Sequence, residues 1–319
     1  MESARRDFPA MGTSCRVIGF GSRAEVLVDL AVQRIALLED CWSRFRPMSE
    51  LNRLNSLAGH GPIEVAPDLA LLIGTMVQAW RWTSGRFDPT ILTAIRASGY
   101  DADFSEVIAK AALAAVDVTP APGMGDVVVD ASSVLLPSGV GIDPGAIGKG
   151  LAADIVVGEL MSAGALGILV DLGGDIVVGG QPGDDDQWVI EVLDERDGQV
   201  CDSVQWAAPL ATAAVATSSA LRRRWADGRH HVIDPMTGAV ATLQVVQATV
   251  IAEHGWQAEA AATAAMLLGP RDGADWLREH ELQGLLFAEG RAIRVGHRVD
   301  GAMPELTGLM GVDGGRRHG

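Results

Sequence analysis

The chain has 319 residues, 48% of them hydrophobic, and a formal net charge of −16. That is enough to build a sizeable core in one large domain or two small ones. The acidic balance argues against nucleic acid and anionic membrane as partners, and Tyr100 as the sole tyrosine leaves little aromatic surface for stacking bases.

Residues 1–10 carry two arginines but no apolar stretch or small-residue cleavage site of the secretory kind, and they are expected to be a flexible N-terminus. "CRVIGFG" reads as a strand. Ser22 and Glu25 have the spacing of a capping box ahead of Leu27, Leu30, Ala31, Ile35 and Leu38, which recur at helical period. "SRFRPMSELNRLNS" reads as a loop broken by Pro47, with Ser49 placed to cap a short helix. A helix is expected over 67–82, then a Gly/Pro interruption in "TSGRFDPT", then a helical or loop segment over 97–113. "DVVVDASSVLLPSGVGID" predicts short strands around a turn, and 151–163 a helix. "ALGILVDLGGDIVVGG" predicts strand, tight glycine turn, strand; "QWVIEVLD", the stretch near "AAVATSSA" and "LQVVQATVIA" add strands. An alanine-rich helix over 258–268 and a closing hairpin follow, with 301–319 expected as a mobile tail. Strands and helices interleave without a βαβ period, so the expected fold is α+β: one domain over 11–300, built from mixed sheets with flanking helices. "ALGILV" and the other apolar runs are too short to span a bilayer, so no membrane insertion is expected. Cys15, Cys41 and Cys201 stand far apart without zinc spacing, which suggests buried thiols in a reducing, cytoplasmic setting.

Several polar clusters interrupt this frame. "GIDPGAIGKG" (141–150) places glycines and Lys149 at a helix start, where exposed N–H groups suit a diphosphate. It matches neither the P-loop nor G-x-G-x-x-G, and a plain turn fits it as well. Gly173 and Gly174 fit either a hairpin turn or backbone held flush against a ligand. In "HHVIDPMTG", His231 could orient on Asp234 and manage a proton, or the two histidines could simply be solvated on a turn. Glu259 and Thr263 lie four apart on one helix face; with a backbone carbonyl they could hold Mg²⁺, whose site phosphates and water would complete. They fit equally a solvated glutamate and a threonine bonded to its own helix. The arginines of "TSSALRRRW" could steer a phosphorylated ligand, or cover a solvated face.

Taken together, these segments resemble the ApbE family of FAD:protein FMN transferases. "MGT" (11–13), "SRFRPMSELNRLN" (43–55), "SGRFDPT" (84–90), "GIDPGAIGKGLAAD" (141–154), "VDLGGDI" (170–176), "AVATSS" (214–219), "HVIDPMTG" (231–238) and "ATVIAEHGWQAEAAATA" (248–264) appear in the family's order, from Met11 to about Gly296. The resemblance implies an Mg²⁺-dependent enzyme that cleaves FAD and transfers FMN to a Thr or Ser hydroxyl of an acceptor flavoprotein subunit or domain. A phosphoester forms and AMP leaves. Hydrolysis of FAD to FMN and AMP, or FAD binding without turnover, are the alternatives.

Carried over by position, the resemblance implies metal ligands at Glu259, Thr263 and the Ala146 carbonyl. It implies an FAD site at Met11, Ser49, Glu50, Asn52, Asp88, Thr90, Lys149, Asp171, Gly173, Gly174, Thr217, Ser218 and His231. Proton management falls to His231 with Asp234 as orienter, and Lys149 supplies charge. Two positions depart from the family pattern: Glu259 stands where aspartate is usual, and Ser219 where glycine is usual.

Overall fold

The computed structural model describes residues 1–101, 119–185, 187–208, 210–225, 228–288, 290–296 and 307–308. In chain order the strands are β1 (Ser3–Ala10), β2 (Thr13–Phe20), β3 (Pro62–Glu64), β4 (Val128–Val129), β5 (Ser133–Leu135), β6 (Gly167–Leu172), β7 (Ile176–Gly180), β8 (Gln187–Asp194), β9 (Gln199–Ala207), β10 (Leu210–Ser219), β11 (Val245–Ala252), β12 (Gln283–Ala288), β13 (Arg291–Val295) and β14 (Thr307–Gly308). The helices are α1 (Ala24–Trp42), α2 (Glu50–Ser56), α3 (Pro67–Trp82), α4 (Leu92–Ala97), α5 (Gly148–Ser162), α6 (Gly255–Leu268) and α7 (Asp272–Glu279).

One eight-stranded sheet organises the molecule, in the order β1-β2-β6-β7-β10-β11-β12-β13, and every described strand pair is antiparallel. The two-residue period of its strands separates two faces. Val177, Ala214 and Ala216 pack with α1, α3 and α5, and Val250 packs with α6 and α7. Their neighbours Val178, Ala213, Val215 and Ile251 face the other way, onto Trp188, Ile190, Val192 and Val204 of the β8–β9 hairpin. The α+β architecture with flanking helices is the expected one.

Several local expectations change. Residues 3–10, expected to be flexible, form β1, paired along its whole length with β2 from Ser3↔Phe20 to Ala10↔Thr13. Helix α1 starts without the Ser22 capping box: its N-cap is Arg23, which gives no side-chain bond. Helix α7 and strand β9 were not expected. Helix α5 begins at Gly148, three residues earlier than its apolar period suggested. Most of the 97–113 segment, and the tail apart from Thr307–Gly308, lie outside the described residues. No described helix is long and apolar enough to cross a membrane, and Cys15, Cys41 and Cys201 are all free thiols.

Candidate active site

The site is assembled where two helices begin side by side. Gly150, in the first turn of α5, meets Gly255, the first residue of α6. A Cβ on Gly255 would lie 2.5 Å from the Gly150 carbonyl oxygen, and one on Gly150 would lie 2.8 Å from the Trp256 nitrogen. Only glycine permits that approach. The contact is locked by Asp154, one turn further along α5. Its carboxylate accepts from the Gly255 N–H at 2.7 Å and the Trp256 N–H at 3.0 Å, capping α6 from outside where that helix's own N-cap, His254, supplies no side-chain bond. Burial pushes the Asp154 carboxyl up to about 6, against the pull of those two N–H groups.

This docking sets Lys149 against Glu259. The Lys149 ammonium lies 3.0 Å from Glu259 Oε1, while Glu259 Oε2 accepts from the Gly150 N–H at 2.7 Å. The same ammonium pairs with Asp175. The side chains of Asp175 and Glu259 are 3% and 4% exposed, so two buried carboxylates share one cation. Asp175 is delivered by the turn between β6 and β7. There Asp171 Oδ1 accepts from the Gly174 N–H at 2.8 Å, and Gly173, at φ +76°, leaves no room for a Cβ beside Thr13. Asp175 also accepts from the Thr217 N–H on β10, at 3.3 Å. The end of β10 is tied down by two hydroxyl pairs, Thr217–Thr249 and Ser218–Thr263, each at 2.9 Å. Thr263 follows Glu259 by one turn of α6.

Above this floor opens a cleft of about 1000 Å³, at the upper end of the range for small-molecule sites. Met11, Asp88, Ala146, Lys149, Asp171, Gly173, Gly174, Thr217, Ser218, His231, Glu259 and Thr263 all line it. Ala146 holds φ +66°, a left-handed conformation that costs an ordinary residue about 1–2 kcal/mol. Asp88, buried and pushed upward by that burial, caps the turn at 89–91 and accepts from Trp80 Nε1 at 3.1 Å.

Five expected residues sit elsewhere. Ser49 caps α2 through the Asn52 N–H, and Asn52 Nδ2 donates to the carbonyls of Arg44 and Arg46, both at 2.9 Å. Glu50 accepts from the Ala66 N–H and the Cys41 thiol. Thr90 donates to Asp88 and accepts from the Gly123 N–H. These polar groups shape the wall from behind. Asp234 accepts from the Met236 N–H at 2.9 Å within its own turn and does not orient His231. His231 Nδ1 is buried without a partner. Burial first, then the charge of Arg223, holds this imidazole down to about 3, with the Arg223 backbone partly opposing, so it is neutral at physiological pH.

Sequence reasoning passed over four residues that matter here. Asp175 stands directly after the glycine pair of "VDLGGDI", and Asp154 closes "GIDPGAIGKGLAAD"; both had been quoted without a role. Arg44 and Asp143 form a buried ion pair at 2.8 Å across the cleft wall, with the Arg44 guanidinium 4.1 Å above the Phe45 ring. Their pairing links residues 99 positions apart, which no local pattern carries.

Among the described residues no three His, Cys, Asp or Glu side chains converge as a metal cluster. A metal ion here would need carbonyl, hydroxyl or ligand oxygens. The chemistry present meets that need: Asp175 and Glu259 hold one more negative charge than Lys149 offsets, and the Ala146 backbone and Thr263 line the same cleft. An all-oxygen donor set of this kind fits a hard divalent cation.

Fold and cleft together define an α+β enzyme domain with a deep, charge-lined ligand site. The ApbE family model matches residues 11–286, and the chain belongs to that family; it is an enzyme of the flavin-transferase class. It is 31% identical over 300 residues to an FAD:protein FMN transferase of Treponema pallidum, covering 87% of this chain and 82% of the relative. It is 26% identical over 287 residues to one from Klebsiella pneumoniae, covering 86% and 81%. The ApbE protein of Thermotoga maritima superposes with a TM-score of 0.78 at 25% identity, covering 92% of this chain and 97% of that one. The apo flavinyl transferase of Pseudomonas stutzeri has the same fold, at a TM-score of 0.75 and 21% identity over 92% and 95% of the two chains.

Proposed function

We propose that the protein transfers the FMN half of FAD to a Ser or Thr hydroxyl of an acceptor flavoprotein subunit or domain, in an Mg²⁺-dependent reaction. The acceptor oxygen bonds to the phosphorus on the FMN side, the bridging P–O bond breaks, and AMP leaves with the bridging oxygen. The observation that carries this reading is the Lys149–Asp175–Glu259 constellation on the floor of a cleft of about 1000 Å³, in a chain that matches the family over 11–286.

The metal ligands are those the family resemblance implies, and the surroundings of the other residues support their roles. The Ala146 carbonyl, Glu259 and Thr263 would hold the metal, which when bound would supply Lewis-acid charge to the diphosphate oxygens. Lys149 fixes the Glu259 carboxylate, and the Gly150 N–H fixes its second oxygen. The Gly173–Gly174 turn brings backbone close to the ligand. His231 Nδ1, buried and unpartnered, is the proposed acceptor for the hydroxyl proton. In the free protein its basicity is held down by burial first and then by the charge of Arg223; a bound diphosphate would offset that charge and raise it. Three free thiols support a cytoplasmic setting.

The test is a mass measurement. The protein is incubated with FAD, Mg²⁺ and a Ser/Thr-bearing flavoprotein acceptor domain, and the acceptor is weighed while AMP is quantified. An FMN-sized mass increase matched by AMP supports transfer. Free FMN and AMP with an unmodified acceptor would instead make the enzyme an FAD hydrolase. Glu259→Ala should abolish AMP release, and undiminished release would remove Glu259 from the metal site.

A further inference from the structure

By charge alone the cleft is a poor place for a diphosphate. Eight acidic side chains line it against six basic ones. Four of the six are already committed to neighbours. Lys149 serves Asp175 and Glu259, Arg44 serves Asp143, Arg46 serves Glu39 and Asp40, and Arg222 serves Glu195 at 2.7 Å. A cation shared between two buried carboxylates has no net charge to offer a third anion. Among the described residues, Arg86 and Arg223 are the cleft cations without an ion pair.

The two stand in different places. Arg86 precedes Asp88 on the loop that follows α3. Arg223 follows β10, whose end residues Thr217 and Ser218 are bonded to Thr249 and Thr263. It is half-buried, and its charge is felt at His231 together with that of Lys149. Arg223 therefore lines the cleft a few residues beyond the strand end that is bonded to Thr249 and Thr263.

We propose that Arg223 is the diphosphate-binding residue of the cleft, the role that the glycine-rich loop suggests for Lys149. The proposal rests on the FAD reading above. A guanidinium offers paired N–H donors to phosphate oxygens without giving up its proton. Its half-buried position strengthens that contact relative to one in open water. Lys149 is then a positioning residue, holding Glu259 and Asp175 in place, and Arg223 is the residue that discriminates a flavin bearing a diphosphate from one without it. This also gives a physical use to one arginine of the "RRR" run, while Arg222 braces Glu195 and the β-bridge Arg224↔His230 closes the loop.

The experiment measures dissociation constants for FAD and for riboflavin, which lacks phosphates, in wild type, Arg223→Gln, Arg223→Lys and Arg81→Gln. Arg81 is exposed and outside the cleft, so its variant changes net charge alone. The expected result is roughly a tenfold or greater loss of FAD affinity in Arg223→Gln, with riboflavin affinity unchanged. Arg223→Lys should recover part of the loss, and Arg81→Gln should match wild type. An unchanged preference for FAD over riboflavin in Arg223→Gln overturns the proposal, as does an equal loss in Arg81→Gln. Equal weakening of both ligands would mark a merely structural role and also overturn it. Failure of the wild type to prefer FAD would count against the FAD reading itself, a separate outcome.

Discussion

Gly150 and Gly255 touch backbone to backbone, and that contact sets the separation of Lys149 from Glu259. A methyl group on either glycine has nowhere to go, because the nearest atoms are main chain. Gly255→Ala is expected to destabilise the protein by about 1–3 kcal/mol, the usual cost of forcing extra volume into packed structure, and to lower FAD turnover by moving α6 away from α5. Gly158→Ala, in the partner helix α5, is the control. Nothing lies within 4 Å of a Cβ there, so it should stabilise by up to about 1 kcal/mol through helix propensity. Urea denaturation of both variants measures the contrast, and a Gly255→Ala protein as stable as wild type would contradict the close approach.

Removing Lys149 should be costly for a different reason. Lys149→Met leaves Asp175 and Glu259 as buried carboxylates with no cation between them, a situation worth about 3–5 kcal/mol of destabilisation. Two readouts separate this from lost packing. Adding Glu259→Gln to Lys149→Met should restore part of the stability, because one orphaned charge is gone. Mg²⁺ should raise the melting temperature of Lys149→Met more than that of wild type, since a divalent ion can take the vacated place. Additive losses in the double variant would show that the two groups do not share a charge balance.

The sequence carried the elements with strong periods and the segments with glycine or proline punctuation. Helix α1, strands β6 and β7 and the turn between them were legible because their apolar spacing and their glycines are local. The residues lining the cleft were gathered from remote segments through the resemblance to a family. The charge balance was not legible. Lys149 looks like a free cation in "GIDPGAIGKG", and its neutralisation depends on Asp175 and Glu259, which the sheet and α6 bring from 26 and 110 positions away. Ser49, Glu50 and Asn52 looked like ligand-facing polar groups, yet they satisfy backbone groups of a loop and a helix start, a demand that a linear reading cannot see. Strand β1 was missed because "ARRDFPA" runs three charged residues together and carries a proline, with no apolar alternation, and its pairing with β2 supplies the order.

His231 gives a pH prediction. Its imidazole is held down to about 3 from an ordinary 6.5, so the folded state binds fewer protons than the unfolded chain between those values. The corresponding stabilisation is fully present above pH 6.5 and is lost as the pH falls toward 3. In the ligand-free protein the ring carbon and proton shifts of His231 should stay flat from pH 8 to pH 5. His231→Gln should lose less stability than wild type on acidification across that window. A His231 resonance that titrates near 6.5 would refute the buried, neutral assignment.

Asp154 gives the opposite dependence. Its carboxyl rests at about 6 in the folded protein against 3.8 ordinarily, with burial as the leading cause. The folded state therefore binds more protons than the unfolded chain between these values. The contribution to stability is fully present below about pH 4 and is lost as the pH rises through 6. The shift of about 2 units corresponds to roughly 3 kcal/mol at most. Asp154→Asn keeps an oxygen to cap α6 but cannot titrate. Its stability relative to wild type should rise as the pH goes from 4 to 7, by an amount approaching that figure. Groups that titrate alike in both proteins cancel in the difference, so urea denaturation of the pair at four pH values isolates Asp154. A constant difference across the series would mean that the carboxyl is charged throughout, with the Gly255 and Trp256 N–H groups outweighing its burial.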